Sequence, residues 1–134
     1  MIQQRICIGV IENQLQQLLV GKRKQGTHLQ DCWEFPGGKV ASHESFKMAL
    51  RRELHEELGI RAHTMSKLIE LQHQYEDRHL RFHIFKVTGF SGQIRSAEAQ
   101  ELQWVSQTEL ASLNFPAANS GMINALILPS EYMI

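Results

Sequence analysis

The spacing of apolar residues changes several times along this chain, and each change marks an element. Ile6, Ile8 and Val10 alternate with smaller residues, and Gln16 to Val20 forms a second β-like run. A polar turn around Glu12-Asn13-Gln14 separates the two, so they are expected to pair. From Gly21 to Asp31 the chain is polar, contains Gly26 and has no period, which predicts a loop able to cover a site. Trp33 to Phe35 makes a short strand before Pro36-Gly37-Gly38, where a glycine pair lets backbone approach a ligand closely.

A helical period follows. The helix is predicted to start near Ser42 to Ser45 and to stop at Leu58, with Gly59 as the left-handed residue past its end. Leu68 to Tyr75 and Leu80 to Thr88 read as a strand pair turned around Glu76-Asp77-Arg78-His79. Leu102 to Val105 is a last strand, leading into a helix from Ser106 whose Glu109 completes a capping box. A final helix after Pro116 is expected over Ser120 to Leu128. Mixed strands with helices on both faces predict an α/β fold, an α/β/α sandwich with a mixed sheet between helices.

The central helix breaks a rule of amphipathic design. Phe46, Ala49, Leu50, Glu53 and Glu57 fall within roughly 100° of one another on its circumference, whereas Lys47, Met48, Arg51 and His55 point elsewhere. The apolar stripe therefore turns acidic, and an ionised carboxylate on a core-facing stripe is costly unless it is paired or bound to metal. Glu53, Glu56 and Glu57 lie within about one turn of each other, where mutual repulsion destabilises an ordinary helix. Adjacent hard oxygen donors, without Cys or His at zinc spacing, suit Mg²⁺ or Mn²⁺, and the Gly38 carbonyl can add a further ligand.

With 134 residues and 43% apolar content, residues 1–134 have room for one compact domain and not two. Fourteen basic and fourteen acidic side chains cancel, so the basic excess of a duplex-binding surface is missing and a small anionic ligand is expected instead. Cys7 and Cys32 sit among apolar or aromatic neighbours and read as buried free thiols, which fits a reducing compartment. Gln3, Gln4 and Arg5 interrupt any opening leader, and no apolar stretch approaches the ~20 residues of a membrane span. A cytoplasmic monomer is expected, with no membrane or nucleic-acid partner.

Gly38, five residues, Glu44, seven residues, and then Arg52-Glu53-Leu54-His55-Glu56-Glu57-Leu58-Gly59-Ile60 resemble the signature of the Nudix hydrolase family at every specified position. That resemblance implies metal-assisted hydrolysis of a nucleoside diphosphate linked to another group. It implies that Gly38, Glu53, Glu56 and Glu57 bind metal, with Glu53 the candidate to orient or deprotonate water. Arg52 and Glu44 would hold the acids in place. Glu98 would join the ligands from a loop, with Glu101 as the competing choice.

Three further segments resemble the MutT branch of that family, whose bacterial members remove oxidised guanine nucleotides. They are Trp33-Glu34-Phe35-Pro36-Gly37-Gly38-Lys39, Tyr75-Glu76-Asp77-Arg78-His79 and Asn114-Phe115-Pro116-Ala117-Ala118-Asn119. The stretches 24–32 and 89–97 depart from the pattern. The resemblance implies that Arg23, His28, Glu34, Phe35, Gly37, Gly38, Arg78 and Asn119 bind the nucleotide, and that 8-oxo-dGTP and 8-oxo-GTP are cleaved to monophosphate and pyrophosphate. Such an activity would sanitise the nucleotide pool and prevent mutation. The residues also admit plainer roles. Asn119 suits a helix N-cap before Ser120, Phe35 and Phe82 suit a core, and Arg23 and Arg78 suit surface ion pairs. Two alternative functions stay open: the same chemistry on CTP, other triphosphates or ADP-ribose-like dinucleotides, and a non-catalytic nucleotide-sensing module.

Overall fold

The computed structural model of the protein describes residues 2–23, 32–97 and 100–113. In chain order its elements are β1 (Ile2–Ile11), β2 (Leu18–Lys22), β3 (Trp33–Glu34), β4 (Gly37–Lys39), α1 (Phe46–Leu58), β5 (Arg61–Gln74), β6 (Arg78–Ser91), β7 (Leu102–Val105) and α2 (Gln107–Leu110). One sheet has the order β4-β1-β6-β5 and is mixed, since β1 runs parallel to β6 but antiparallel to β4. The other, in the order β3-β2-β7, is antiparallel.

Burial on both faces of β1 organises the core. Cys7 and Ile11 join a cluster with Ala49, Leu50, Leu54 and Leu58 of α1 and Phe85 and Val87 of β6. Val10 points the other way, into a cluster with Leu18, Val20, Phe35, Ile84, Val105 and Leu110 of α2. Helices thus cover both sides of the β layer, with α2 short. The final helix expected over 120–128 and most of the loop expected over 21–31 lie outside the described residues.

Helix α1 has the predicted ends. Ser45 is its N-cap and its side chain accepts the Met48 N–H at 3.1 Å, while Gly59 past the end adopts φ 72° and donates its N–H to the His55 carbonyl. The first turn is clamped to the sheet, because the Phe46 ring stacks on His83 of β6 at 3.5 Å between centroids and Arg5 of β1 lies 5.5 Å from the same ring. Arg5 also donates to the carbonyls of Ala41 and Glu44, fixing the approach to the helix.

Three expectations need correction. The strands β1 and β2 do not form a hairpin: beyond the single bridge Glu12↔Leu18 they belong to different sheets, because β4 and β6 already occupy both edges of β1. The Gly37-Gly38 pair is itself part of a strand, β4, laid on β1 with Gly38 opposite Cys7. A side chain at Gly37, whose φ is 154°, would run into the Cys7 carbonyl. The β5–β6 pair begins earlier and ends later than its apolar pattern predicts, spanning Arg61 to Ser91 with register shifts near Ala62, Thr64 and Lys67. Bulges of this kind suit β5, which is an edge strand with most side chains exposed.

Leu54 is fully buried where α1 meets β1, so Leu54→Ala should lower the unfolding free energy by about 2–5 kcal/mol in a urea titration. A loss under about 1 kcal/mol would show that α1 is not packed as described.

Candidate active site

The acids of α1 are brought to the glycine pair by the packing of β4 against β1 and of the helix against both. The Glu53 carboxylate lies against Gly38, where a Cβ would sit only 2.5 Å from its carboxyl carbon. Glycine at 38 therefore leaves the Glu53 carboxylate the space it occupies. One turn on, Glu57 Oε2 accepts the Gly37 N–H at 3.3 Å. Glu53 and Glu57 thus both meet the loop, although neither is fully buried, the Glu53 side chain being 16% exposed. Glu56 differs: 58% exposed, it reaches toward Arg52 at 3.4 Å.

Arg52 holds this charge in place. Its Nε and Nη2 donate to the two oxygens of Glu44 at 2.8 and 2.9 Å, its Nη1 to Glu53 at 3.0 Å, and its Nη2 also to the Lys39 carbonyl at 3.1 Å. Glu44 is only 8% exposed, and its Oε1 also accepts the Ala41 N–H at 3.0 Å. The Arg52 fork, helped by that backbone N–H, holds the Glu44 carboxyl down at about 2. In return the Glu44 bond, and secondarily Glu53, keeps Arg52 firmly charged. Arg52 thus bridges Glu44, which precedes the helix, to Glu53 within it.

Cys7 approaches the same loop from below. Its thiol donates to the Gly38 carbonyl at 3.4 Å, and burial pushes its pKa up to about 11. A thiol held protonated is no metal ligand. Among the described residues no three His, Cys, Asp or Glu side chains converge into a ready ligand set. The loop and helix do offer hard oxygens, from Glu53, Glu57 and the Gly38 carbonyl, and that donor chemistry suits Mg²⁺ or Mn²⁺. Glu56 is turned aside onto Arg52 and stands apart from the glycine pair that Glu53 and Glu57 meet.

A cavity of about 70 Å³ lies beside the end of α1, lined among others by Gly21, Glu34, Phe35, Gly37, Gln100 and, alone of the three α1 acids, Glu57. Glu34 Oε2 accepts from Arg23 at 2.8 Å, so these two expected nucleotide residues are joined. Phe35, expected at the nucleotide, is 7% exposed and packs in the second core cluster, touching the cavity only as part of its wall. Phe82 also packs against that cluster. Arg78 stands opposite Ile2, five residues along β1 from the Cys7–Gly38 pair, roughly 17 Å away, with its guanidinium 5.1 Å from the Tyr75 ring. The structure therefore does not bring Arg78 to the acids. His28, Glu98 and Asn119 lie outside the described residues, and the competing Glu101 is exposed, its carbonyl accepting the Lys22 N–H at 2.8 Å.

Two participants escaped the sequence reading. The Cys7 contact needs β1 and β4 to be neighbours, which no local pattern reveals. Gln100, whose Nε2 donates to Glu34 Oε1 at 3.0 Å, did have a signal: Gly21 ends the apolar run of β2, and glycine in a strand marks a close approach.

A family model described as a NUDIX domain matches residues 7–125. The 8-oxo-dGTP diphosphatase of Escherichia coli (strain K12) is 32% identical over 122 residues, covering 91% of this chain and 95% of that protein. The CTP pyrophosphohydrolase of the same organism is 37% identical over 101 residues, covering 75% of this chain and 73% of that one. A solved MutT structure, from work on Aliivibrio salmonicida and Vibrio cholerae, superposes with a TM-score of 0.84 at 34% identity, covering 95% of this chain and 98% of that one.

The Glu44–Arg52 pair makes acid stability a test of the site. Because folding lowers the Glu44 pKa from 4.5 to about 2, its contribution is full above about pH 4.5 and drains away as pH falls toward 2. Thermal melts of Glu44→Gln should lose part of this acid dependence and start from a lower Tm at neutral pH. An acid profile unchanged from that of the native chain would remove the pair from the account.

Proposed function

The chain belongs to the NUDIX-domain family, and from that premise we propose that it is a hydrolase of nucleoside triphosphates whose preferred substrate is 8-oxo-dGTP, with 8-oxo-GTP as a second substrate. The products would be the monophosphate and pyrophosphate, and the outcome a nucleotide pool cleared of a mutagenic base. The observation that carries this reading is the seating of Glu53 on Gly38 and of Glu57 on the Gly37 N–H, with Arg52 and Glu44 bracing the acids from behind. Relatives with that substrate in their names align over most of the chain.

Hydrolysis of a phosphoanhydride asks for an aligned water, neutralised phosphate oxygens and a stable leaving group. A divalent cation, Mg²⁺ or Mn²⁺, supplies charge neutralisation and a more acidic water when bound. Glu53, Glu56, Glu57 and the Gly38 carbonyl would hold it, with Glu98 as a further ligand. Glu53 is the group we assign to orienting or deprotonating the attacking water, since Arg52 fixes its rotamer and Gly38 leaves it room. Attack at the β-phosphorus, which the resemblance implies, expels the nucleoside monophosphate as leaving group and puts the water oxygen into pyrophosphate. Arg23, Glu34, Gly37 and the wall at Phe35 would receive the nucleotide with His28 and Asn119, while Arg78, remote from the acids, would reach only the end of the nucleotide away from the phosphates.

Selectivity follows from the chemistry of an amide. Asn119 presents an acceptor beside a donor, and 8-oxoguanine presents O6 as acceptor beside N7–H as donor, so the two edges match. Ordinary guanine has a lone pair at N7, which leaves one bond unmade and sets two acceptors against each other. A site built this way rejects the analogue by about 10⁴-fold. A second reading, CTP or another triphosphate as substrate, is favoured by the 37% identical CTP pyrophosphohydrolase.

A nucleotide panel with Mg²⁺ and product identification separates these readings: 8-oxo-dGTP, 8-oxo-GTP, dGTP, CTP and ADP-ribose. Fast turnover of CTP with slow turnover of 8-oxo-dGTP would overturn the first. Tight binding without any product would instead leave a nucleotide-sensing module. Glu57→Gln should keep the fold and lose most turnover, and full activity in that variant would remove the metal-site assignment. Asn119→Ala should abolish discrimination between 8-oxo-dGTP and dGTP. A lower Tm with discrimination intact would make Asn119 a helix cap and nothing more.

A further inference from the structure

Gly21 leaves room for a side chain. A Cβ there would stand 2.9 Å from both Cδ and Nε2 of Gln100 and 3.2 Å from its Oε1, so the carboxamide lies flat over the glycine. The backbone of Gly21 is not in the left-handed region, and space is therefore what glycine supplies. From this seat Gln100 Nε2 donates to Glu34 Oε1 at 3.0 Å, while Arg23 Nη1 donates to Glu34 Oε2 at 2.8 Å. Glu34 is shared, one oxygen to each.

Gln100 is also held through its backbone. Arg95 and Ala97 donate their N–H groups to the carbonyls of Leu58 and Glu57 at the end of α1, and Gln100 N–H donates to Ser96 Oγ at 2.6 Å. The segment before β7 is thus tied to the catalytic helix at one end and, through the Gln100 amide, to Glu34 at the other. A carboxylate left alone with a guanidinium tends to take it two-pronged. By occupying one oxygen of Glu34, Gln100 restricts Arg23 to a single prong.

The geometry points to Gln100 as a positioning residue of the nucleotide cleft: it holds one oxygen of Glu34, so deciding where the Arg23 guanidinium stands, and Gly21 makes room for it. This inference rests on the reading that Arg23 and Glu34 serve the nucleotide, and it adds a residue to that site that the family signature does not contain.

The test uses Gln100→Ala, Gly21→Ala and the double variant. Each single change should raise KM for the nucleotide about fivefold or more while kcat stays within about twofold. Each should also move the Arg23 Nε–Hε resonance in NMR spectra of nucleotide-free protein. With alanine at 100 there is no amide for a Cβ at 21 to displace, so the double variant should match Gln100→Ala alone. An unmoved Arg23 resonance, an unchanged KM, a loss confined to kcat or to Tm, or additive effects in the double variant would each overturn the inference. The resonance needs no turnover. A native chain that hydrolyses no nucleotide would therefore sink the proposed function, and the NMR result would still decide the role of Gln100.

Discussion

The guanidinium of Arg52 serves oxygens from four residues: both carboxylate oxygens of Glu44, one each of Glu53 and Glu56, and the Lys39 carbonyl. Crowding carboxylates on one face of a helix is unfavourable by itself. Here one delocalised cation, planar and permanently charged, spreads across the acids and a backbone carbonyl at fixed angles. Lysine has no such fork. Arg52 offsets the repulsion between Glu53 and Glu56, and Glu44 holds the far side of the fork.

What fixes Arg52 is packing remote from the charge. Leu50, Leu54 and Leu58 anchor α1 to β1 and β6, and the stack of Phe46 on His83 sets its first turn. Arg5 grips the carbonyls of Ala41 and Glu44, so the segment carrying Glu44 approaches the helix along one path. Against this frame, the Gly37-Gly38 strand presses so close that a Cβ at 37 would strike the Cys7 carbonyl and one at 38 would displace the Glu53 carboxylate. An apolar core and two missing side chains thus place the polar chemistry, in keeping with the general rule that a rigid scaffold positions a reactive site.

Some of this was legible in the order of residues, for identifiable reasons. Ser45 and Gly59 end α1 where their types predict, because N-cap and left-handed C-terminal preferences are local. Ser106 and Glu109 close their capping box for the same reason. The acidic stripe on α1 was visible because helical period is also local, and it led to Glu53 and Glu57, whereas Glu44 and Arg52 came from the resemblance to the family signature. The start of β5 was hidden, since Ala62 and Met65 are its only buried residues and register shifts on either side of Thr64 break the alternation a strand normally shows. Pairing of β1 with β6 joins residues more than seventy positions apart, and no short pattern encodes such a partner.

The chain by itself determined the helix, its caps, its acids and the family they mark, because each depends on neighbours within a few positions of one another. Tertiary structure alone decided which carboxylate rests on which glycine, that Glu56 turns to Arg52 while Glu57 turns to the Gly37 N–H, that Cys7 lies beneath the Gly38 carbonyl, and that Gln100 reaches Glu34 across Gly21. Those contacts join segments far apart in the chain. Their geometry is set by how two sheets and a helix close on a shared core, a property of the whole fold and of no local stretch.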